Sequence, residues 1–192
     1  MSHTPTQNSK HIDIRNPFVW LHRLRHRRGY GVHSPFAFAL ITQVVYSPGR
    51  YYAYDRLNRL HSRADRLLRP RRRAVCRLLF RLANFVQPAR ICAPGAPQTE
   101  RAYLQAGCRK AVVSDRIEPD SLLIYIYRAW ESKELPRVAD GGVVVVDGLR
   151  RHRRLWRQLK DSGLYRVTLA LHDVGLAFRR DSMQRDDYVV NW

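Results

Sequence analysis

Lysine is scarce in this 192-residue chain, which has only Lys10, Lys110, Lys133 and Lys160. Arginine therefore supplies nearly all of the 35 basic side chains, set against 16 acidic ones for a net charge of +19. Cysteine is also sparse. Cys76, Cys92 and Cys108 form an odd set without metal-ligand spacing, and reduced thiols in a cytoplasm are the simplest reading. No apolar run approaches the roughly 20 residues of a membrane helix. The first ten residues are polar and lack the apolar core of a signal peptide. The expectation is a cytoplasmic protein with no transmembrane segment. No local motif supports a Ser-His-Asp or Cys-His nucleophile arrangement. His22 and His26 stand four apart without a third ligand, so no metal site is expected. There is no internal repeat and no low-complexity tract.

What remains is a chain able to fold. Apolar residues make up 45% of it, enough for a buried core, and the 27% of charged residues is interspersed with Leu, Val and Tyr rather than blocked into a disordered tract. The positive excess favours anionic partners by long-range attraction: nucleic acid, acidic lipid heads or acidic proteins. Arginine adds bidentate phosphate contacts that lysine makes less well. The opposite reading is a solvated arginine face with no partner. The densest basic runs are residues 69–73 and 150–157. Trp156 lies near the second, but aromatics do not alternate with the charges as a single-strand stacking platform requires.

Hydrophobic spacing divides the chain. Residues 1–16 read as a polar tail. A helical pattern starts at Asn16, with Phe18, Val19, Leu21 and Leu24 apolar, and ends in a basic stretch before Gly29. Ser34 is placed to cap a helix whose first position is Pro35, running to about Tyr46 and stopped by Ser47-Pro48-Gly49. Residues 55–68 form a second amphipathic stretch. Pro70 opens a third helix with Val75, Leu78, Leu79, Leu82, Phe85 and Val86 on its apolar face and Arg72, Arg73, Arg77 and Arg81 mostly away from it. From Pro88 onward short apolar runs alternate with helical patterns. Strands are expected at residues 90–93, 111–115, 122–127 and 142–147, and helices at 99–106, 128–139 and 149–160. Two closing strands, 165–171 and 175–179, turn at His172-Asp173 as a hairpin at one sheet edge. Such alternation predicts a largely parallel α/β sheet. The division expected is a tail over 1–16, a helical extension over 17–69 and an α/β domain over 70–192, the last two forming one structural unit.

Three stretches resemble a bacterial group, common in Bacteroidetes, of class I S-adenosylmethionine-dependent methyltransferase-like proteins. They are Gly31-Val32-His33-Ser34-Pro35-Phe36-Ala37-Phe38, the helix from Arg72 into the strand before Gly95, and Val174-Gly175-Leu176-Ala177-Phe178-Arg179-Arg180. With Gly142 to Asp147 the resemblance covers most of residues 17–192. It implies a Rossmann-like fold with a reversed last strand and S-adenosylmethionine at the carboxyl ends of the first strands. It places Gly95 and Ala96 in the cofactor loop, Asp115 as the acid holding the ribose hydroxyls and Asp147 as an acid ending a later strand. In this fold a glycine loop lets the backbone approach the ligand. The sequence departs from that pattern. Ala93 stands where an acid is usual, Pro97 removes a backbone donor, and the interval from Asp115 to Leu122 is too short for the helix and strand that relatives carry there. Tyr125-Ile126-Tyr127 also lacks the Asp of metal-dependent O-methyltransferases. The loop is shortened and degenerate.

Three functions follow as expectations. The first is a methyltransferase using S-adenosylmethionine, of unknown acceptor and with a degenerate active site; its catalytic residues are not identified, since methyl transfer proceeds largely by placement. The second is a non-catalytic basic module binding RNA or another polyanion through Arg71, Arg72, Arg73, Arg77, Arg150, Arg151, Arg153 and Arg154. The third is a structural, partner-binding protein.

Overall fold

A seven-stranded sheet in the order β2-β1-β3-β4-β6-β5-β7 organises the chain. The computed structural model describes residues 34–61, 70–128, 130 and 132–192. The strands are β1 (Arg90–Cys92), β2 (Val112–Ser114), β3 (Leu123–Ile126), β4 (Val143–Asp147), β5 (Val167–Leu171), β6 (Val174–Phe178) and β7 (Asp186–Val190). Strand β1 pairs in parallel with β2 and β3, and β3 with β4. Strand β6 runs antiparallel to both its neighbours, β4 and β5. Every residue of β3, β6 and the Val143–Val146 run is buried, which is the apolar continuity of strands covered on both faces. The architecture is thus α/β, compatible with a Rossmann-like fold.

The helices are α1 (Pro35–Ala39), continued by a π-helical stretch over Leu40–Val45, α2 (Ala53–Asn58), α3 (Pro70–Val86), α4 (Gln98–Gly107) and α5 (Arg153–Asp161). Ser34 caps α1 as its spacing predicts: its hydroxyl accepts from the Ala37 N–H at 3.3 Å and Pro35 opens the helix. One face of the sheet packs Val143, Val145, Leu123 and Ile91 against Leu78, Leu79 and Leu82 of α3 and against Leu40, Ile41 and Val44. The other face packs Val144, Val146 and Ile124 against Leu155 and Leu159 of α5 and the irregular segment carrying Val138. Tyr103 ties α4 to α2: its hydroxyl donates to Asn58 Oδ1 at 3.2 Å and lies 3.2 Å from His61 Nε2.

Several expectations change. The helix expected over 128–139 is not formed over residues 132–139, which are irregular. Pro136 lacks an N–H and biases Leu135 away from the helical region. Its carbonyl instead accepts the Tyr165 hydroxyl, and the Glu134 carbonyl accepts Trp130 Nε1 at 2.7 Å. The closing hairpin is not at an edge. Strand β6 inserts between β4 and β5, and β7, which the pattern missed, covers β5 in parallel. The reversed strand is therefore β6, not the C-terminal one. The basic helix begins at Arg153, with Arg150 and Arg151 in the preceding turn. Helix α2 ends at Asn58, and residues 62–68 of the second amphipathic stretch lie outside the described residues, as do the helical pattern from Asn16, His22, His26 and His33. Arg81 belongs to the buried face of α3, only 8% exposed.

Strands β2 and β3 flank β1, yet only residues 115–122 join them, without a helix or a strand. A parallel crossover normally takes a dozen residues or more. Strands of only three and four residues make the shorter route feasible, and among the described residues the sheet ends at β2.

Candidate functional site at the carboxyl edge of the sheet

Strands β1 to β5 all point their carboxyl ends to one edge. Two separate polar clusters form there. The first joins β1 and β2. The Gly95 N–H donates to Asp115 Oδ1 at 3.0 Å, so the loop glycine and the strand-end acid meet. Gly95 has φ +60, a left-handed conformation that glycine adopts without strain. The residue that completes this cluster is Arg101, three positions into α4. Its guanidinium ion-pairs with Asp115, donates to the Ala93 carbonyl at 2.9 Å and reaches the Ala96 carbonyl at 3.1 Å. Ala96 is buried. The sequence signal for Arg101 is weak, since one more arginine in an arginine-rich chain carries no distinguishing pattern.

The second cluster lies at the ends of β3 and β4. Asp147 lies in a separate cluster from Gly95 and Asp115, with three strand spacings, about 14 Å, between its strand and β2. The Tyr125 hydroxyl donates to Asp147 Oδ2 at 3.0 Å. Burial pushes the Asp147 carboxyl above its ordinary range, opposed by the Tyr125 hydrogen bond and by Arg71 and Arg72. Burial, reinforced by the Asp147 charge, raises the Tyr125 phenol as well. Beside them Arg72 pairs with buried Glu100 and stacks over Tyr127, its guanidinium carbon 4.8 Å from the ring centroid. Burial also raises the Cys76 thiol, so Cys76 is an inert packing thiol rather than a nucleophile.

Around this second cluster the two basic runs converge. Asp173, in the β5–β6 turn, is their junction. Its carbonyl accepts the Gly148 and Leu149 N–H groups, each at 2.8 Å, and its Oδ1 accepts the Arg150 N–H at 2.9 Å. Its Oδ2 pairs with Arg71 of α3 at 3.2 Å. Arg71 and residues 148–150 are distant in sequence and meet at Asp173. Arg150, Arg151, Arg153 and Arg154 are exposed and make no ion pair among the described residues. The first turn of α5 carries no acid and its N-cap, His152, makes no side-chain capping hydrogen bond, so the helix N-terminus adds positive potential. The other sequence candidates are otherwise occupied: Arg72 by Glu100, and Arg77 by the Tyr54 ring at 5.0 Å. Arg73 is half-buried.

Among the described residues no group of His, Cys, Asp and Glu is arranged to hold a metal ion, and no helix is long and apolar enough to cross a membrane. Comparison with protein-family models, with curated proteins and with solved structures finds no match to this chain.

Proposed function

We propose that this protein is a non-catalytic, Rossmann-like basic module whose partner is the phosphate backbone of a nucleic acid, best fitted by RNA. The observation that carries the reading is that Asp173 ties Arg71 to the turn holding Arg150, which leads through Arg151 to Arg153 and Arg154 at the start of α5, all five arginines exposed. Exposed guanidinium groups above a helix N-terminus match phosphate by charge and by geometry. The resemblance to methyltransferase-like proteins supplies the ancestry of the scaffold in this reading, not its present chemistry. The residues fit S-adenosylmethionine poorly. Arg101 already bridges Asp115 to the Ala93 and Ala96 carbonyls, and Asp115 Oδ1 holds the Gly95 N–H, so the hydroxyl-binding acid and the loop backbone satisfy each other.

Fluorescence anisotropy with a 20-nucleotide single-stranded RNA tests this. Affinity is expected to fall steeply with salt. The triple variant Arg150→Ala, Arg153→Ala, Arg154→Ala is expected to flatten the log–log slope by about 2, near 0.7 for each phosphate no longer neutralised. An unchanged slope in a folded triple variant refutes the assigned face. Calorimetry with millimolar S-adenosylmethionine is expected to show no saturable heat; a saturable signal restores the methyl-transfer reading.

A further inference from the structure

The open groove beside β2 lies away from the basic face and stands on separate observations. It has a volume of about 1050 Å³ and runs between α2 and α4, bounded by Tyr52, Leu57 and Leu60 on one side and by Ala102, Ala106 and Val113 on the other. The α4 wall is a single helical stripe, with Gln98, Arg101, Ala102, Gln105 and Ala106 at alternating spacings of three and one and Arg109 just beyond. Its two alanines allow close approach of another backbone. Strand β2 is the end of the sheet, and its outer edge pairs with no strand among the described residues. Among the described residues, two of the five exposed large apolar residues line it: Tyr52 is fully exposed and Leu60 is 49% exposed. Large apolar groups clustered in one place mark contact surfaces, whereas single ones do not.

The charge of the walls selects the occupant. Among the described residues the lining holds three arginines, Arg56, Arg101 and Arg109, and no carboxylate. Asp115 neutralises Arg101, leaving Arg56 and Arg109 at the rim. A second copy of this chain brings +19 against +19. Its own basic amphipathic stretch after Asn16 has the wrong sign as well. We propose that the groove docks an acidic amphipathic helix of a partner protein, about three turns long, with an aliphatic stripe over Ala102, Ala106 and Leu60 and carboxylates facing Arg56 and Arg109. The length follows from the stripe over residues 98–109, which spans about 16 Å at 1.5 Å per residue. Laying an apolar helix face into such a groove is a general recognition mode.

The test uses the full chain and two synthetic 16-residue peptides of identical Leu, Ala and Glu composition, one ordered as an amphipathic helix and one scrambled. At 150 mM NaCl the amphipathic peptide is expected to bind at least tenfold more tightly than the scrambled one. Leu60→Asp and, separately, Arg56→Glu with Arg109→Glu are each expected to weaken it at least tenfold, with folding checked by circular dichroism. The Arg150, Arg153, Arg154 triple alanine variant is expected to retain the preference for the amphipathic peptide, which separates this site from the basic face. Equal binding of the two peptides, or binding indifferent to Leu60→Asp in a folded variant, overturns the proposal. So does a dimer in light scattering that Leu60→Asp dissociates, because a second copy then fills the groove.

Discussion

At the residue scale, Arg81 shows a charged side chain used as a structural fastener. Its Nε donates to the Val44 carbonyl and its Nη2 to the Val45 carbonyl at 3.3 Å, at the last turn of the π-helical stretch. The final carbonyls of a helix lack partners within it and are costly to bury bare. Arg81→Met keeps the packing volume and removes both donors. It is expected to cost about 2–3 kcal/mol, the range for losing hydrogen bonds from a charged donor and stranding the acceptors. Chemical denaturation checks this, and a loss below about 0.5 kcal/mol contradicts the fastening role. His152 is the converse case, a histidine whose burial works against its charge. It is 8% exposed, and its Nε2 has no hydrogen-bond partner among the described residues. Burial first, and then the Arg151 charge, lower its pKa from the ordinary 6.5, opposed by the Arg128 backbone and by Asp147 and Asp173. The unfolded chain therefore takes up a proton before the folded one does. The stability His152 contributes is fully present above pH 6.5 and is lost as pH falls through that value toward the lower folded pKa. His152→Gln is expected to flatten the decline of Tm between pH 7 and 5. An identical decline in the variant assigns it to other groups.

Elements were legible wherever one physical signal governed them. Ser34-Pro35 fixed the start of α1, the spacing of Val75 to Leu82 fixed α3, and Val143–Val146 read as a strand because all four residues are buried. The failures have equally local causes. Residues 132–139 carry helical spacing that Pro136 overrides. Strand β7 carries Asp186, Asp187 and Tyr188, and a half-exposed edge strand shows little apolar periodicity. Of the candidate site, Gly95 and Asp115 were found from the resemblance, and the place of Asp147 in a different cluster followed only from strand order. Arg71 and Arg150 meet through the carboxylate of Asp173, a contact no linear pattern contains. Gly107, at the end of α4, makes a prediction of its own. A Cβ there meets the Phe80 carbonyl oxygen at 2.3 Å and Ala83 Cβ at 2.9 Å, so glycine sets how closely α3 and α4 pack. In an open helix Gly→Ala gains up to about 1 kcal/mol. Here the clash is with backbone that cannot yield cheaply, and overpacking wins. Gly107→Ala is expected to destabilise by about 1–3 kcal/mol, and a Tm that rises instead rejects the close-packing account.

At the scale of the whole molecule the charge imbalance acts on the fold itself. Even if each of the 16 acids paired with a base, 19 positive groups remain without a partner. Several of those remaining cluster, as at Arg150 to Arg154, so the compact state repels itself more than the expanded one does. Added salt shortens the range of that repulsion to about 10 Å at 0.1 M. It also weakens exposed ion pairs such as Arg90 with Glu118, but exposed pairs contribute little. Relief of repulsion therefore dominates, and Tm is expected to climb as NaCl rises from 20 to 300 mM. A polyanion that binds the folded chain stabilises it by mass action, and its effect must run the other way: largest at 20 mM and fading toward 300 mM as counterions compete. The two titrations taken together separate the field of the molecule from a partner for it. A Tm that falls with salt alone makes ion pairs rather than repulsion the controlling term. An RNA-induced shift that persists at 300 mM points to contacts other than phosphate.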